Sequence, residues 1–178
     1  LVGGRDAHRH AGALLAREAA QHAERQAALL GLGQVVDRGE AARLAVLSGA
    51  QMLFYPTAIG WLPEEPRHAA NAQLNAWELV QRSHAVANGV YVAAVNRVGR
   101  EGKLKFWGNS FVAGPLGELV ARAGADREEV LLARCDLRKI DETRQSWPFL
   151  RDRRVDAYGA LAERFLDEAP QRKSGPRP

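Results

Sequence analysis

Six consecutive apolar residues, Val90-Tyr91-Val92-Ala93-Ala94-Val95, stand between Asn88-Gly89 and Asn96-Arg97-Val98-Gly99. A run this short, without polar alternation and flanked by turn formers, reads as a strand buried on both faces. A strand of that kind needs a packed layer above and below it, which points to a layered α/β fold. A second apolar run, Leu53-Phe54-Tyr55, lies upstream and leads into Pro56-Thr57-Ala58-Ile59-Gly60. Helical patterns precede and follow it, so it sits at the centre of an α/β unit. In such folds, binding and chemistry gather where the strands end.

The remaining elements fall around these two strands. Residues 40–49 predict a short helix with Ala41, Leu44, Ala45 and Ser48 on one face and Gly49 at its C′ position. Residues 51–55 form the first strand, and Pro56 is expected to end it by removing a donor. Residues 71–88 give the strongest helical signal. Leu74, Trp77, Gln81, His84, Ala85 and Asn88 share one face, which mixes apolar and polar groups and fits a wet cleft or a contact with another subunit. After the buried strand, residues 104–107, 109–113 and 118–122 are short runs separated by Gly and Pro, and read as an antiparallel meander. Residues 130–135 predict a further strand, with Asp136 capping the helix that follows and stops near Trp147-Pro148. A last amphipathic turn carries Leu161, Phe165 and Leu166.

The two ends differ from this body. Residues 13–30 are rich in Ala, Arg, Glu and Gln and favour helix, yet offer few large apolar residues to bury. The expected organisation is a helical or disordered segment over 1–38, a domain over 39–168 and a disordered tail over 169–178.

Composition excludes several classes. The 178 residues carry a formal charge of +4, and the surplus cations are arginines interspersed with carboxylates. That pattern describes a solvated surface better than a nucleic-acid site, which would need a basic stripe interleaved with aromatics. No apolar run is long enough for a membrane span. The single cysteine, Cys135, forbids an internal disulfide framework and fits a reducing, cytoplasmic setting. His8, His10 and His22 lack the spacing and the partners of a metal site, so neither metal nor cofactor is expected. Gly31-Leu32-Gly33 has neither the third glycine nor the lysine of a phosphate loop. Cys135 reads as a packed thiol, since no histidine follows it to act as a base. His84 reads as a packed, hydrogen-bonded histidine.

Several segments carry a resemblance in a fixed order. They are Glu40-Ala41-Ala42-Arg43, the stretch from Leu53 to Gly60, His84-Ala85-Val86-Ala87-Asn88, Val95-Asn96-Arg97-Val98-Gly99, and Phe106-Trp107-Gly108-Asn109-Ser110-Phe111-Val112-Ala113-Gly114-Pro115. From Gly39 onward the chain resembles the C-terminal half of a carbon–nitrogen hydrolase of the nitrilase superfamily. The stretch Trp147-Pro148-Phe149-Leu150-Arg151-Asp152-Arg153-Arg154-Val155-Asp156-Ala157-Tyr158-Gly159 is similar to the branch that hydrolyses N-carbamoylputrescine.

The resemblance implies part of an α-β-β-α sandwich. It implies a small-molecule amide or carbamoyl substrate, no cofactor, and a step of polyamine biosynthesis that yields putrescine, CO2 and ammonia. It also implies a cysteine nucleophile, a glutamate base and a lysine beside the developing oxyanion. Their roles are physically coherent, since thiolate attack needs a base and a fixed cation acts where negative charge grows. Carried over residue by residue, none of the three is found. Gly39 stands where the family has proline, an ungapped count puts Gly33 at the cysteine position, and the chain has no cysteine before Cys135. No lysine precedes Lys103, and Glu18 and Glu24 lie in surroundings unlike the family's. The expectation is therefore a family scaffold with no catalytic residues of its own, inactive as written, or a non-catalytic relative acting in assembly. Tyr55, Thr57, Ala58 and Trp61 are expected to wall the substrate pocket. Trp77, Gln81, His84, Trp147, Arg151 and Tyr158 are expected to serve a homo-oligomer interface.

Overall fold

The computed structural model describes residues 39–163. The expected helix over 13–30, the three histidines, the glycine-spaced run at 31–37, Phe165, Leu166 and the tail over 169–178 lie outside the described residues.

The chain opens on α1 (Gly39–Leu47), passes through β1 (Met52–Thr57) and the two-residue β2 (Gly60–Trp61), and enters the long α2 (Arg67–Asn88). It returns through β3 (Tyr91–Asn96), β4 (Arg100–Glu101), β5 (Leu104–Phe106), β6 (Phe111–Ala113) and β7 (Leu119–Arg122) before α3 (Arg138–Ser146). Two 3-10 turns, Val155–Ala157 and Gly159–Ala162, finish the described chain. The main sheet has the order β1-β3-β6-β7, and a small sheet has the order β2-β5-β4. β1 and β3 are parallel, with Met52 opposite Tyr91 and Thr57 opposite Asn96, and α2 makes the crossover between them. β6 and β7 add antiparallel to β3.

The apolar run at 90–95 lands as expected in β3, flanked by strands on both sides. Leu53 and Tyr55 of β1, Val92 and Ala94 of β3, and Phe111 and Ala113 of β6 form one core with Trp77 and Ala85 of α2. Trp77 meets the Phe111 ring edge-on at 5.4 Å between centroids. α2 is further tied to the β6–β7 hairpin. Arg82 Nε donates to the Gly117 carbonyl at 2.7 Å, and Glu78 pairs with both Arg82 and Arg122. The polar members of the α2 stripe, Gln81, His84 and Asn88, are buried with the apolar ones. The mixed face is thus covered within this chain. Asn88 Nδ2 donates to the His84 carbonyl, and Arg144 Nε reaches the Asn88 carbonyl at 3.4 Å.

The opposite face of the main sheet is much less covered. Phe54, Ala93, Val95 and Val112 line a cavity of ≈ 510 Å³ there, crossed at one side by Arg127, Glu128, Glu129 and Leu131. Val95 is 49% exposed although its strand is central.

Five expectations are corrected. β1 runs through Pro56 instead of ending there. Among the described residues β1 is an edge strand, where a missing N–H need not break a ladder bond. α1 buries Ala42 and Val46, while Leu44 is exposed, so the inward stripe is offset from the expected 41, 44, 45 and 48. α2 starts one turn before residue 71, because Pro66 supplies an extended N-cap and the first turn has no large apolar residue to announce it. The expected meander is split: β5 belongs to the small sheet, β6 and β7 to the main one. Residues 130–135 form no ladder with the described residues. Alternate residues in this stretch are half-covered, and Val130 and Leu132 are exposed. The alternation of a strand is present without a ladder among the described residues.

Candidate functional site

The site is built where β1 and β3 end side by side. Three segments converge there: the β1–β2 connection over 57–60, Asn96 at the end of β3, and residues 107–110 between β5 and β6. Ser110 extends the β3–β6 ladder by side chain. Its hydroxyl accepts the Asn96 N–H at 2.9 Å and donates to the Asn96 carbonyl at 3.2 Å. Gly108 and Asn109 both take positive φ, 59° and 55°. This left-handed pair turns the chain sharply enough for Gly108 N–H to reach the Arg97 carbonyl at 2.9 Å. Asn109 holds its own turn by donating from Nδ2 to the Trp107 carbonyl at 2.7 Å.

At the centre is the buried carboxamide of Asn96. Its Oδ1 accepts the Ile59 N–H at 2.9 Å, and its Nδ2 donates to the carbonyls of Ile59 and Gly108 at 3.0 and 3.2 Å. The orientation of the amide follows from these partners, since a flipped group would face an N–H with an NH2. The Thr57 hydroxyl sits between the Val95 carbonyl and Asn96 Oδ1, at 3.1 and 3.2 Å. Trp107 N–H closes the set on the Ile59 carbonyl at 3.1 Å.

An aromatic wall backs this polar knot. Trp61 packs on Trp107 with ring centroids 5.9 Å apart, and Trp107 meets Trp77 edge-on at 6.1 Å. Gly60 lies so close to the Lys105 carbonyl that any Cβ would collide with it, which is what lets β2 lie flat on β5. The cavity opens beside Asn96 and has a charged rim. Arg97 pairs with Glu101 at 2.6 Å and lies over the Phe106 ring, while Glu129 accepts the Gly124 N–H at 2.5 Å.

Of the residues expected to wall a pocket, Thr57 closes β1, Ala58 lies in the connection and Trp61 in β2. Tyr55 lies on the helix side of the sheet, stacked on His84 at 5.5 Å between ring centroids. None of the four lines the ≈ 510 Å³ cavity. Among the residues expected at an interface, Trp77, Gln81 and His84 are buried in the chain, whereas Trp147, Arg151 and Tyr158 are exposed. Trp147 and Phe149 meet edge-on at 5.5 Å.

Sequence reasoning missed Asn96, Trp107 and Ser110 as members of the site. The signal was there in Asn96-Arg97-Val98-Gly99, but a polar residue closing an apolar strand reads first as a turn.

Cys135 lies at the end of the unpaired segment, and burial pushes its thiol pKa up, the wrong direction for a nucleophile. Among the described residues no group of three or more His, Cys, Asp or Glu could hold a metal ion. No described helix is long and apolar enough to cross a membrane. The groups at the strand ends hold backbone in place and offer no strong base or nucleophile.

Residues 19–145 match the carbon-nitrogen hydrolase family. The chain belongs to that family. The match begins at residue 19, inside the stretch whose motifs carry no visible resemblance. The chain is 46% identical to the N-carbamoylputrescine amidase of Arabidopsis thaliana over 130 residues, 68% of the chain and 42% of the relative. It is 39% identical to the omega-amidase of Homo sapiens over 133 residues, 72% of the chain and 44% of that relative. A solved carbon–nitrogen hydrolase from Helicobacter pylori superposes with a TM-score of 0.70 at 47% identity, covering 72% of this chain and 46% of the other. The chain thus spans less than half the length of these relatives. Its mixed α/β fold is that of the nitrilase superfamily.

Proposed function

We propose that this carbon–nitrogen hydrolase chain carries one wall of a site for a carbamoyl amide of the N-carbamoylputrescine kind. The observation that carries the reading is the ordering of identities, 46% to an N-carbamoylputrescine amidase against 39% to an omega-amidase over nearly the same length. The reaction adds water to the carbamoyl carbon and releases ammonia, CO2 and putrescine. Its chemistry requires a nucleophile, a base and an oxyanion partner. The only cysteine has a thiol pushed toward its protonated form, and the strand-end groups are occupied with backbone. The 178 residues alone are therefore inactive.

Two measurements test this. Ammonia release from N-carbamoylputrescine should stay at background with the purified chain, and turnover that follows the protein through purification defeats the inactive reading. Tryptophan fluorescence, through Trp61 and Trp107, should respond to N-carbamoylputrescine at lower concentration than to citrulline or an ω-amide. The reverse order defeats the substrate class.

The missing nucleophile also favours a second reading, a non-catalytic relative that assembles with an active partner or with further copies. Exposed Trp147, Arg151 and Tyr158 are the surface for it. A full-length homologue should co-purify with the wild-type chain and not with Trp147→Ala/Tyr158→Ala.

A further inference from the structure

We propose that Asn96 is the positioning residue of the site: its carboxamide sets the distance between the 57–61 wall and the 107–110 loop. The proposal rests on the reading of residues 57–61 as a pocket wall.

The geometry makes this side chain unlike its neighbours. The Asn96 carboxamide bonds to both backbone groups of Ile59 and to the carbonyl of Gly108. Those two residues lie on segments that also meet through the short β2–β5 ladder, the Trp61–Trp107 ring contact and the Trp107 N–H on the Ile59 carbonyl, but Asn96 is the side chain that bonds to both from outside them. An acceptor and a donor are needed together, at one depth, and only a carboxamide of this length supplies both. The strand itself does not depend on them. β3 is held by ladders to β1 and β6, and the Asn96 backbone is held by Ser110. The side chain is therefore free to serve the loops, and a change in it acts on the wall before it acts on the fold.

The two carboxamide functions can be separated. Asn96→Asp keeps an oxygen for the Ile59 N–H but turns a second oxygen toward the carbonyls of Ile59 and Gly108. Asn96→Ala removes both functions. The test is hydrogen–deuterium exchange of the purified chain, resolved to peptides. In Asn96→Ala, peptides over 57–61 and 104–110 should both exchange about tenfold faster, the scale of one lost hydrogen bond. In Asn96→Asp, 104–110 should loosen while the Ile59 amide stays closer to wild type. Peptides within β6 and β7 should be unchanged in both. Unchanged exchange in Asn96→Ala overturns the proposal. So does an equal rise across β1, β3, β6 and β7 in both variants, which marks a merely structural residue.

A titration with N-carbamoylputrescine separates this proposal from the substrate reading. The fluorescence response should move to higher ligand concentration in both variants. If the wild-type chain gives no response, the substrate reading fails, and the exchange pattern alone decides Asn96.

Discussion

At the scale of single residues, the chain shows which side chains hold structure and which are available for chemistry. Phe111 is almost fully buried between Trp77 and the sheet. Phe111→Ala should cost about 3–5 kcal/mol of unfolding free energy in urea, by lost transfer and by the cavity left behind. Trp107 is as deeply buried, but among the described residues its indole N–H has no acceptor. Trp107→Phe removes that unsatisfied donor along with some volume, so its cost should be well below that of Phe111→Ala in the same assay. Cys135 provides a chemical test. Burial raises its pKa, so less thiolate is present at neutral pH than in an ordinary cysteine. Iodoacetamide should alkylate it more slowly than a free thiol at pH 7.5, and at the ordinary rate in denaturant. Alkylation as fast as the free thiol would falsify the assignment of Cys135 as a packed group. Asp136 titrates in the other direction: hydrogen bonds from the Arg138 guanidinium and N–H hold its pKa at about 2. Its contribution is fully present above the ordinary carboxylate range and fades as pH falls through about 2. In an NMR titration, Arg138→Ala should move it part of the way back toward the ordinary range, since the N–H of residue 138 and Lys139 still favour the carboxylate.

At the scale of elements, the chain punctuates its helices by backbone geometry. Gly89 ends α2 with φ 56°, its N–H turning back to the carbonyls of Ala85 and Val86. A Cβ there would sit 3.0 Å from Arg144 Cγ, so Gly89→Ala meets both the left-handed backbone and the α3 side chain. The expected loss is about 1 kcal/mol in urea unfolding. The effect should be partly relieved in the background of Arg144→Ala. The legibility of each element in the sequence depends on whether local pattern or distant pairing decides it. β3 and the core stripe of α2 were legible, because continuous apolar runs and three- and four-residue steps express burial directly. β1 was cut short at Pro56, because proline's effect depends on whether a strand has one neighbour or two, and that is a property of the sheet. The segment at 130–135 carries strand alternation without a ladder, because alternation records which face is covered and not which strand is alongside. The site was half legible. Thr57, Ala58 and Trp61 stand out in the sequence and lie on the segment beside Asn96, while Tyr55 faces the helix; the role of Asn96 arises only when Ile59 and Gly108 are brought to either side of it.

At the scale of the whole molecule, one face of the main sheet is roofed by α2 and the other holds a cavity with Val95 half exposed at its edge. Exposed Val130 and Leu132 add apolar surface. An incompletely covered sheet face favours association. Sedimentation of the chain should show concentration-dependent oligomers, and the fluorescence of an apolar dye should rise on binding the native protein. A monomer with one sharp unfolding transition and no dye binding contradicts this. The parallel joint between β1 and β3 has a consequence in time as well as in space. Its first rung pairs Met52 with Tyr91, and the amide of Asn96 cannot close on Gly108 until both have been synthesised. α2 can form locally while it emerges from the ribosome, but the sheet it covers must wait for a long loop to close. For that interval the nascent chain presents a helix with a sticky stripe and a bare strand that carries a proline. The proline that looked like the end of a strand then leaves any mispaired neighbour one N–H fewer to bond, on a strand that is at the edge among the described residues.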